Sequence, residues 1–251
     1  MGVFVMLKVS STEVQNNFGK YLMLAQEQDV IVTRNGQDVA RLVGLNDSQN
    51  GASIVSEEVL AEGYGLRKAT YEEFRELTKD REERYEYIDG EIFLQPSPKG
   101  DHQWAQAKLF GMFDQFFADG ICSPFVAPFD ITIRRSESDI NVVQPDLMLI
   151  CDFKEKLGED GYYHGVPTLV VEILSERTRR NDLLKKLNLY MHGGVKEYWI
   201  VDPKNKQISV YTFEDRDIQE YVVHTIPGKA ESIVFPGLTV DLKKCFLRYR
   251  A

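Results

Sequence analysis

Two acidic side chains stand where acids are rare. Glu172 lies in the middle of TLVVEILS, and Asp146 interrupts VVQPDLMLI. Both runs are short and apolar, the composition of a strand covered on both faces. A carboxylate in such surroundings is costly unless a partner, a metal ion or a raised pKa relieves it. Two of them on successive core strands imply carboxylates converging on one point, an oxygen-rich arrangement suited to a hard divalent cation such as Mg²⁺. Lys186 adds a nearby amine. Asp182, Lys186 and Tyr190 recur at i, i+4 and i+8, one stripe of a helix. Two readings of that stripe stay open: a solvated Asp–Lys pair, or a lysine that meets Glu172 and Asp146.

Other candidates are weaker. Glu86 and Glu91 flank an Asp89-Gly90 turn and read as exposed strand residues, unless one of them faces the site. His102, at the start of a helix, reads as a capping or surface residue, or as a completing group of the site. Arg177, Arg179, Arg180 and Lys185 crowd the segment after the Glu172 strand. They form either a solvated face or a phosphate-binding one.

The elements that must position these groups are legible in outline. After TLVVEILS comes a helical pattern with Leu183, Leu184, Leu187, Tyr190 and Met191 on its apolar side. Gly193-Gly194 ends it, and VKEYWIVDP is a second strand. Strand, helix, strand is a crossover unit and predicts parallel pairing. A helix from His102 to Ala118 places Ala105, Leu109, Met112, Phe113 and Phe116 on one face. RYEYIDGEIFLQ is a pair of strands, APFDITIRR another strand, and QISVYTF and EYVVHTI extend or edge the sheet. Residues 57–84 read as helical, most clearly in YEEFRELTKD.

Residues 7–45 form a separate pattern. Ser10 and Glu13 make a capping box, with Val14, Phe18, Tyr21, Leu22 and Ala25 on the apolar side of the helix it opens. Two β-rich runs then flank Asn35-Gly36, a hairpin signal. One helix and one hairpin bury too little to stand alone, so this piece is expected to dimerise or dock. The division expected is residues 1–46, a polar linker over 47–66, and a large domain over 67–251.

The chain has 251 residues and a net charge of −9, which disfavours indiscriminate nucleic-acid binding without excluding a local basic face. No apolar run approaches a membrane span, so no membrane association is expected. MGVFVMLKVS lacks the layout of a signal peptide. Cys122, Cys151 and Cys245 are scattered and odd in number, giving neither a disulfide framework nor a zinc spacing. The expected location is the cytoplasm.

Two resemblances sharpen this reading. KVSSTEVQNNFGKYLMLAQEQDVIVTRNGQDVARLVGL resembles a Phd/YefM-type antitoxin head, which implies a homodimer with operator-DNA binding. RYEYIDGEI, QPDLMLI, VVEILSERT, DLLKKLNLY and GVKEYWIVDP together resemble the Uma-type family of restriction endonucleases in the PD-(D/E)XK superfamily. The fold class implied is α/β (α+β): a small helix–hairpin head and a restriction-endonuclease-like mixed sheet flanked by helices. By that likeness Asp146 and Glu172 are metal ligands for Mg²⁺ or Mn²⁺. Leu174 stands where the superfamily's E-x-K lysine would be, and Lys186 on the following helix takes its role, with Lys185 its rival. Asp182 positions Lys186, Glu91 or His102 completes the site, and Arg177, Arg179, Arg180 and Lys185 contact DNA. The implied activity is metal-assisted phosphodiester hydrolysis in DNA. Two alternatives remain: a non-catalytic DNA-binding regulator, and a toxin–antitoxin pair joined in cis with the head restraining the nuclease.

Overall fold

The computed structural model describes residues 7–16, 21, 25, 29–34, 37–42, 67–79, 81–95, 97–175 and 181–247. Contacts divide the chain into two units, Met1–Ser56 and Glu57–Ala251.

In the smaller unit β1 (Leu7–Ser10) leads directly into α1 (Ser11–Asn16). Ser10 Oγ accepts the Glu13 N–H at 3.1 Å, satisfying one of the orphan donors of the first turn. β2 (Val30–Arg34) pairs parallel with β1 and antiparallel with β3 (Gln37–Leu42). The two arms of the expected hairpin are therefore present, while Asn35-Gly36 lies outside the described residues. β1 is an addition to the helix-and-hairpin expectation; four residues are too few for alternation to stand out in a sequence. Val30 and Val32 are buried together with Val14, Tyr21 and Ala25. Phe18 and Leu22, expected on the same face, lie outside the described residues.

The larger unit opens with β4 (Arg67–Lys68) and α2 (Tyr71–Thr78). Among the described residues of the 57–84 stretch, α2 is the helix. It starts at a complete capping box: Thr70 Oγ1 accepts the Glu73 N–H at 3.2 Å, and the Glu73 carboxylate accepts the Thr70 N–H at 2.8 Å. Then come β5 (Tyr85–Ile88), β6 (Glu91–Leu94), α3 (Gly100–Phe117), β7 (Ser123–Val126), β8 (Ile131–Ser136), β9 (Asp139–Val143) and β10 (Leu147–Ile150). Next are α4 (Phe153–Lys156), β11 (Leu169–Ile173), a π-helical turn (Asn181–Lys186), α5 (Leu187–Gly193) and β12 (Glu197–Asp202). The chain closes with β13 (Gln207–Glu214), β14 (Asp217–Thr225), β15 (Lys229–Glu231), β16 (Thr239–Asp241) and α6 (Leu242–Phe246).

One sheet has the order β4-β6-β5-β9-β8 and a second the order β14-β13-β12-β11-β10-β7; β15 and β16 form a small ribbon. The crossover reading holds, since β11 and β12 pair parallel from Leu169↔Glu197 to Ile173↔Val201. Asp89 and Gly90 both take positive φ, 54° and 75°, in the tight turn between β5 and β6. Gly194, at φ 96°, ends α5 in the left-handed conformation.

VVQPDLMLI, expected as one strand, is two. β9 belongs to the first sheet, β10 to the second, and Gln144-Pro145-Asp146 carries the chain between them. Pro145 has no N–H to give a ladder, and pairing stops there. Asp146 accordingly sits at the joint of two sheets.

One face of the second sheet packs on α3. Ala105, Leu109 and Phe113 share a core with Leu147, Leu169, Val171, Ile173 and Val201, and Phe113 meets Trp199 edge-on at 5.6 Å between ring centroids. Phe116, expected in that stripe, is 43% exposed near the helix end. Strand alternation turns Glu172 and Tyr198 to the opposite face, where Tyr190 of α5 lies 5.0 Å from Tyr198.

Cys122 and Cys151 are joined by a disulfide, which corrects the expectation of no disulfide framework. The spacing in sequence hides the pair, but the antiparallel register puts Ser123 opposite Ile150 and so sets the two adjoining cysteines side by side. Cys245 is buried, and desolvation pushes its thiol up to about 12. Among the described residues no helix is long and apolar enough to cross a membrane.

Candidate active site

Glu172 occupies the centre of β11, a strand buried along its whole length. Its Oε1 lies 2.9 Å from Lys186 Nζ and accepts the Tyr190 O–H at 2.7 Å. The same ammonium lies 2.8 Å from Glu86 Oε1 and 3.5 Å from Asp182 Oδ1. The side chains of Lys186, Glu172, Glu86 and Asp182 are at most 4% exposed. Of the two readings of the Asp182–Lys186 stripe, the solvated pair is therefore excluded, and the other is corrected in one partner: Lys186 meets Glu172 as expected, but among the described residues Glu86 and Asp182, not Asp146, are the further acids against it. One cation is enclosed by three carboxylates.

The π-helical turn sets this up. Its wide winding departs from the α-helical register, leaving Leu184 37% exposed although the sequence places it on the apolar side, while Leu187, Tyr190 and Met191 are buried as expected. Such segments recur at functional sites. Tyr198 pins the turn to β12 by donating its O–H to the Asp182 carbonyl at 2.9 Å.

Burial pushes Glu172 well above the ordinary carboxylate range; Lys186 pulls it down, while Asp182, Asp146 and Glu86 add to the rise. Burial alone would lower Lys186, but Glu172, Glu86 and Asp182 outweigh it and hold the ammonium well above its usual value. The Tyr190 phenol is raised by burial and by Glu172. Lys186 thus stays charged and Tyr190 stays a donor.

Glu86 is the residue that the sequence left open between an exposed strand position and one facing the site. Expected on an exposed strand, it is 2% exposed. Its Oε1 also accepts the Gln144 N–H at 2.9 Å, and its Oε2 accepts from Gln95 Nε2 at 2.6 Å. A signal was available: alternation in YEYI puts Glu86 on the face of Ile88, which is fully buried. Glu91 is 17% exposed and pairs with Lys185, whose ammonium also lies 5.1 Å from the centroid of the Phe93 ring. Lys185, expected to contact DNA, is thus engaged with an acid beside the site.

Asp146 is 18% exposed. Its Oδ2 accepts the Ile173 N–H at 2.7 Å and lies 3.1 Å from His102 Nε2. Since Ile173 follows Glu172, this bond brings the two acids to adjacent backbone positions. His102 is 12% exposed, not a surface residue, and the N-cap of α3 is Lys99, which gives no side-chain cap. The Asp146 carbonyl accepts from Gln106 Nε2 at 2.6 Å. Arg177, Arg179 and Arg180 lie outside the described residues.

Among the described residues no cluster of three or more His, Cys, Asp or Glu side chains is arranged to hold a metal ion. Asp146 and Glu172 are the pair of acids that would hold a hard cation of Mg²⁺ type. Among the described residues, hydrogen bonds to the Asp146 carboxylate fall on Oδ2, and those to Glu172 fall on Oε1. One oxygen of each is left for a cation that keeps several waters and is commonly bound by one or two carboxylates plus phosphate.

The chain matches two family models: over residues 71–243 that of Uma2, described as "Putative restriction endonuclease", and over residues 6–51 that of the Phd_YefM antitoxin of type II toxin–antitoxin systems. An uncharacterized protein of Synechocystis sp. is 26% identical over 149 residues, 59% of this chain and 76% of the relative. The fold is similar to the crystal structure of a "putative nuclease belonging to DUF820" from Anabaena variabilis, with a TM-score of 0.57 and 23% identity over 70% of this chain and 97% of the other.

Proposed function

The chain belongs to the Uma2 restriction-endonuclease family, and on that premise we propose that its larger unit is a nuclease that hydrolyses phosphodiester bonds in DNA with a divalent cation, Mg²⁺ or Mn²⁺. The observation that carries this reading is the juxtaposition of Asp146 and Glu172 across β10 and β11 through the Ile173 N–H, with Lys186 held against Glu172. Asp146 and Glu172 would hold the cation, which would supply Lewis acidity and lower the pKa of a bound water. The chain's own residues do the rest. Lys186 offsets the charge of Glu172 and Glu86 and stabilises negative charge that develops at a scissile phosphate. Tyr190 and Lys186 together fix Oε1 of Glu172, and Asp182 holds Lys186 from the side of the π-helical turn. Arg177, Arg179, Arg180 and Lys185 contribute phosphate contacts, with Lys185 exchanging Glu91 for phosphate. The smaller unit is the dimerising, DNA-contacting part.

Nicking of supercoiled DNA tests the proposal. Cleavage should require Mg²⁺ or Mn²⁺ and fall by orders of magnitude in Asp146→Ala and Glu172→Ala, each checked for folding by circular dichroism. Equal cutting by both variants sinks it. Removal of residues 1–50 tests the separate reading of a head that restrains the nuclease in cis: raised cleavage selects it, and unchanged or reduced cleavage refutes it.

One observation favours a second reading, a DNA-binding protein without cleavage. The Lys186 ammonium already fills the space among three carboxylates, as a structural ion pair would. Calorimetric titration with Mn²⁺ separates the two. Heat of binding in the wild type that is lost in Glu172→Gln selects the nuclease; DNA binding without Mn²⁺ binding selects the regulator.

A further inference from the structure

We infer that His102 and Gln106 of α3 form a clamp that fixes Asp146 so that its uncommitted oxygen faces the cation. This makes His102 a positioning residue rather than a ligand, and it rests on the metal-dependent reading above. Asp146 needs such a device because of where it lies. It belongs to the three-residue joint between β9 and β10, where its backbone carbonyl accepts the Ala127 N–H at 3.4 Å but the joint belongs to neither strand.

α3 is a firm platform for the clamp, since Ala105, Leu109 and Phe113 on another of its faces are fully buried in the core of the second sheet. His102 and Gln106 are spaced i and i+4, which places them one above the other over the first turns. They grip the same residue at two points: Gln106 donates to its backbone carbonyl at 2.6 Å, and His102 lies 3.1 Å from its carboxylate. The Ile173 N–H reaches that same Oδ2 at 2.7 Å. Two donors on one oxygen stop the carboxylate from turning about its last torsion, which would exchange the oxygens.

An ionised carboxylate only accepts hydrogen bonds, so Nε2 of His102 carries the hydrogen. That nitrogen is committed to Asp146. Nδ1 is buried with no hydrogen-bond partner among the described residues. Magnesium prefers oxygen to imidazole nitrogen, which again argues for positioning over ligation. Hydrogen-bonding partners of metal-binding side chains typically carry about 10–100-fold of metal affinity.

The test is Mn²⁺ binding to the full chain, read by electron paramagnetic resonance of free Mn²⁺, in His102→Ala, His102→Gln and His102→Asn. A glutamine amide nitrogen reaches the place of Nε2, whereas an asparagine amide stops near Nδ1. His102→Ala should weaken binding about 10–100-fold, His102→Gln should restore most of it, and His102→Asn should not. Nicking by His102→Ala should recover at saturating Mn²⁺. Urea midpoints check folding; if the alanine variant does not fold, the contrast between glutamine and asparagine decides the same question. Wild-type affinity in all three variants overturns the clamp while leaving the nuclease reading intact. Absence of Mn²⁺ binding in the wild type overturns both.

Discussion

Glu172 and Glu197 are two buried glutamates on neighbouring parallel strands of one sheet, three residues apart in register, and they live in opposite electrostatic worlds. Glu197 is fully buried, and its carboxylate is surrounded by neutral donors: Trp199 Nε1–H on one oxygen, and on the other Ser232 O–H at 3.1 Å, the Ile233 N–H at 3.0 Å and the Val234 N–H at 2.7 Å. Those donors staple the 232–234 loop to β12. Glu172 has the Lys186 ammonium and a phenol on one oxygen, and two further acids compete for that ammonium. A carboxylate wrapped in neutral N–H and O–H groups has its task completed by the fold. One that shares a single cation with other carboxylates retains unsatisfied demand for positive charge, which a metal ion or a proton can meet.

The largest effect that would sharpen this contrast is removal of the shared cation. Lys186→Met should strand three buried carboxylates and cost about 3–5 kcal/mol, seen as a lower urea midpoint with an unchanged slope. A loss below about 1 kcal/mol would mean that the acids are already neutral, and the distinction between the two glutamates would lapse.

The direct comparison is Glu197→Gln against Glu172→Gln. At Glu197 an amide N–H₂ must face donors, so about 1.5–3 kcal/mol should be lost, with Mn²⁺ binding kept. At Glu172 the substitution removes one of three acids around one lysine, so stability should change less while Mn²⁺ binding disappears. Should the two variants behave alike in both measurements, Glu172 is a second staple.

The pH dependence gives a further test of Glu172. Glu172 has its folded value raised above the ordinary 4.5, so the folded state takes up the proton more readily than the unfolded one. Stability should therefore decline as pH rises from about 4.5 through the folded value. Glu172→Gln should flatten that limb. Lys186, raised above 10.5, contributes stability that is complete below that pH and is lost as pH climbs through the folded value.

The contrast also shows what a sequence can and cannot yield. An acid amid apolar β-formers marks Glu172, whereas Glu197 opens its strand beside Lys196 in VKEYWIVDP and goes unmarked, although it is buried as deeply. What distinguishes them arrives from β5 and from the turn before α5, elements distant in sequence. Glu86 is hidden for that reason: an alternating strand reveals which residues share a face, not what that face meets. The parallel crossover was legible because strand, helix, glycine stop and strand follow one another in sequence. The break at Pro145 was less so, because one apolar run served two sheets. The Cys122–Cys151 pair depended on a register between β7 and β10 that no local pattern fixes.

Arg135 provides the smallest test, as a half-exposed counterpart of the enclosed Lys186. It pairs with Asp139 and Asp89 and donates to Asn188 Oδ1 at 3.1 Å, so it ties the first sheet to α5. Its side chain is 25% exposed. Asp139 is held below its usual 3.8, chiefly by the hydrogen bond from Arg135. A lowered folded value means stability that is present above 3.8 and lost as pH falls through the folded value. Solvent screening keeps this small, so Arg135→Gln should cost about 1 kcal/mol at pH 7, with less difference from wild type in acid. If it instead costs as much as Lys186→Met, burial is not what makes the lysine's charges expensive to separate, and the electrostatic distinction between the enclosed site and its rim fails.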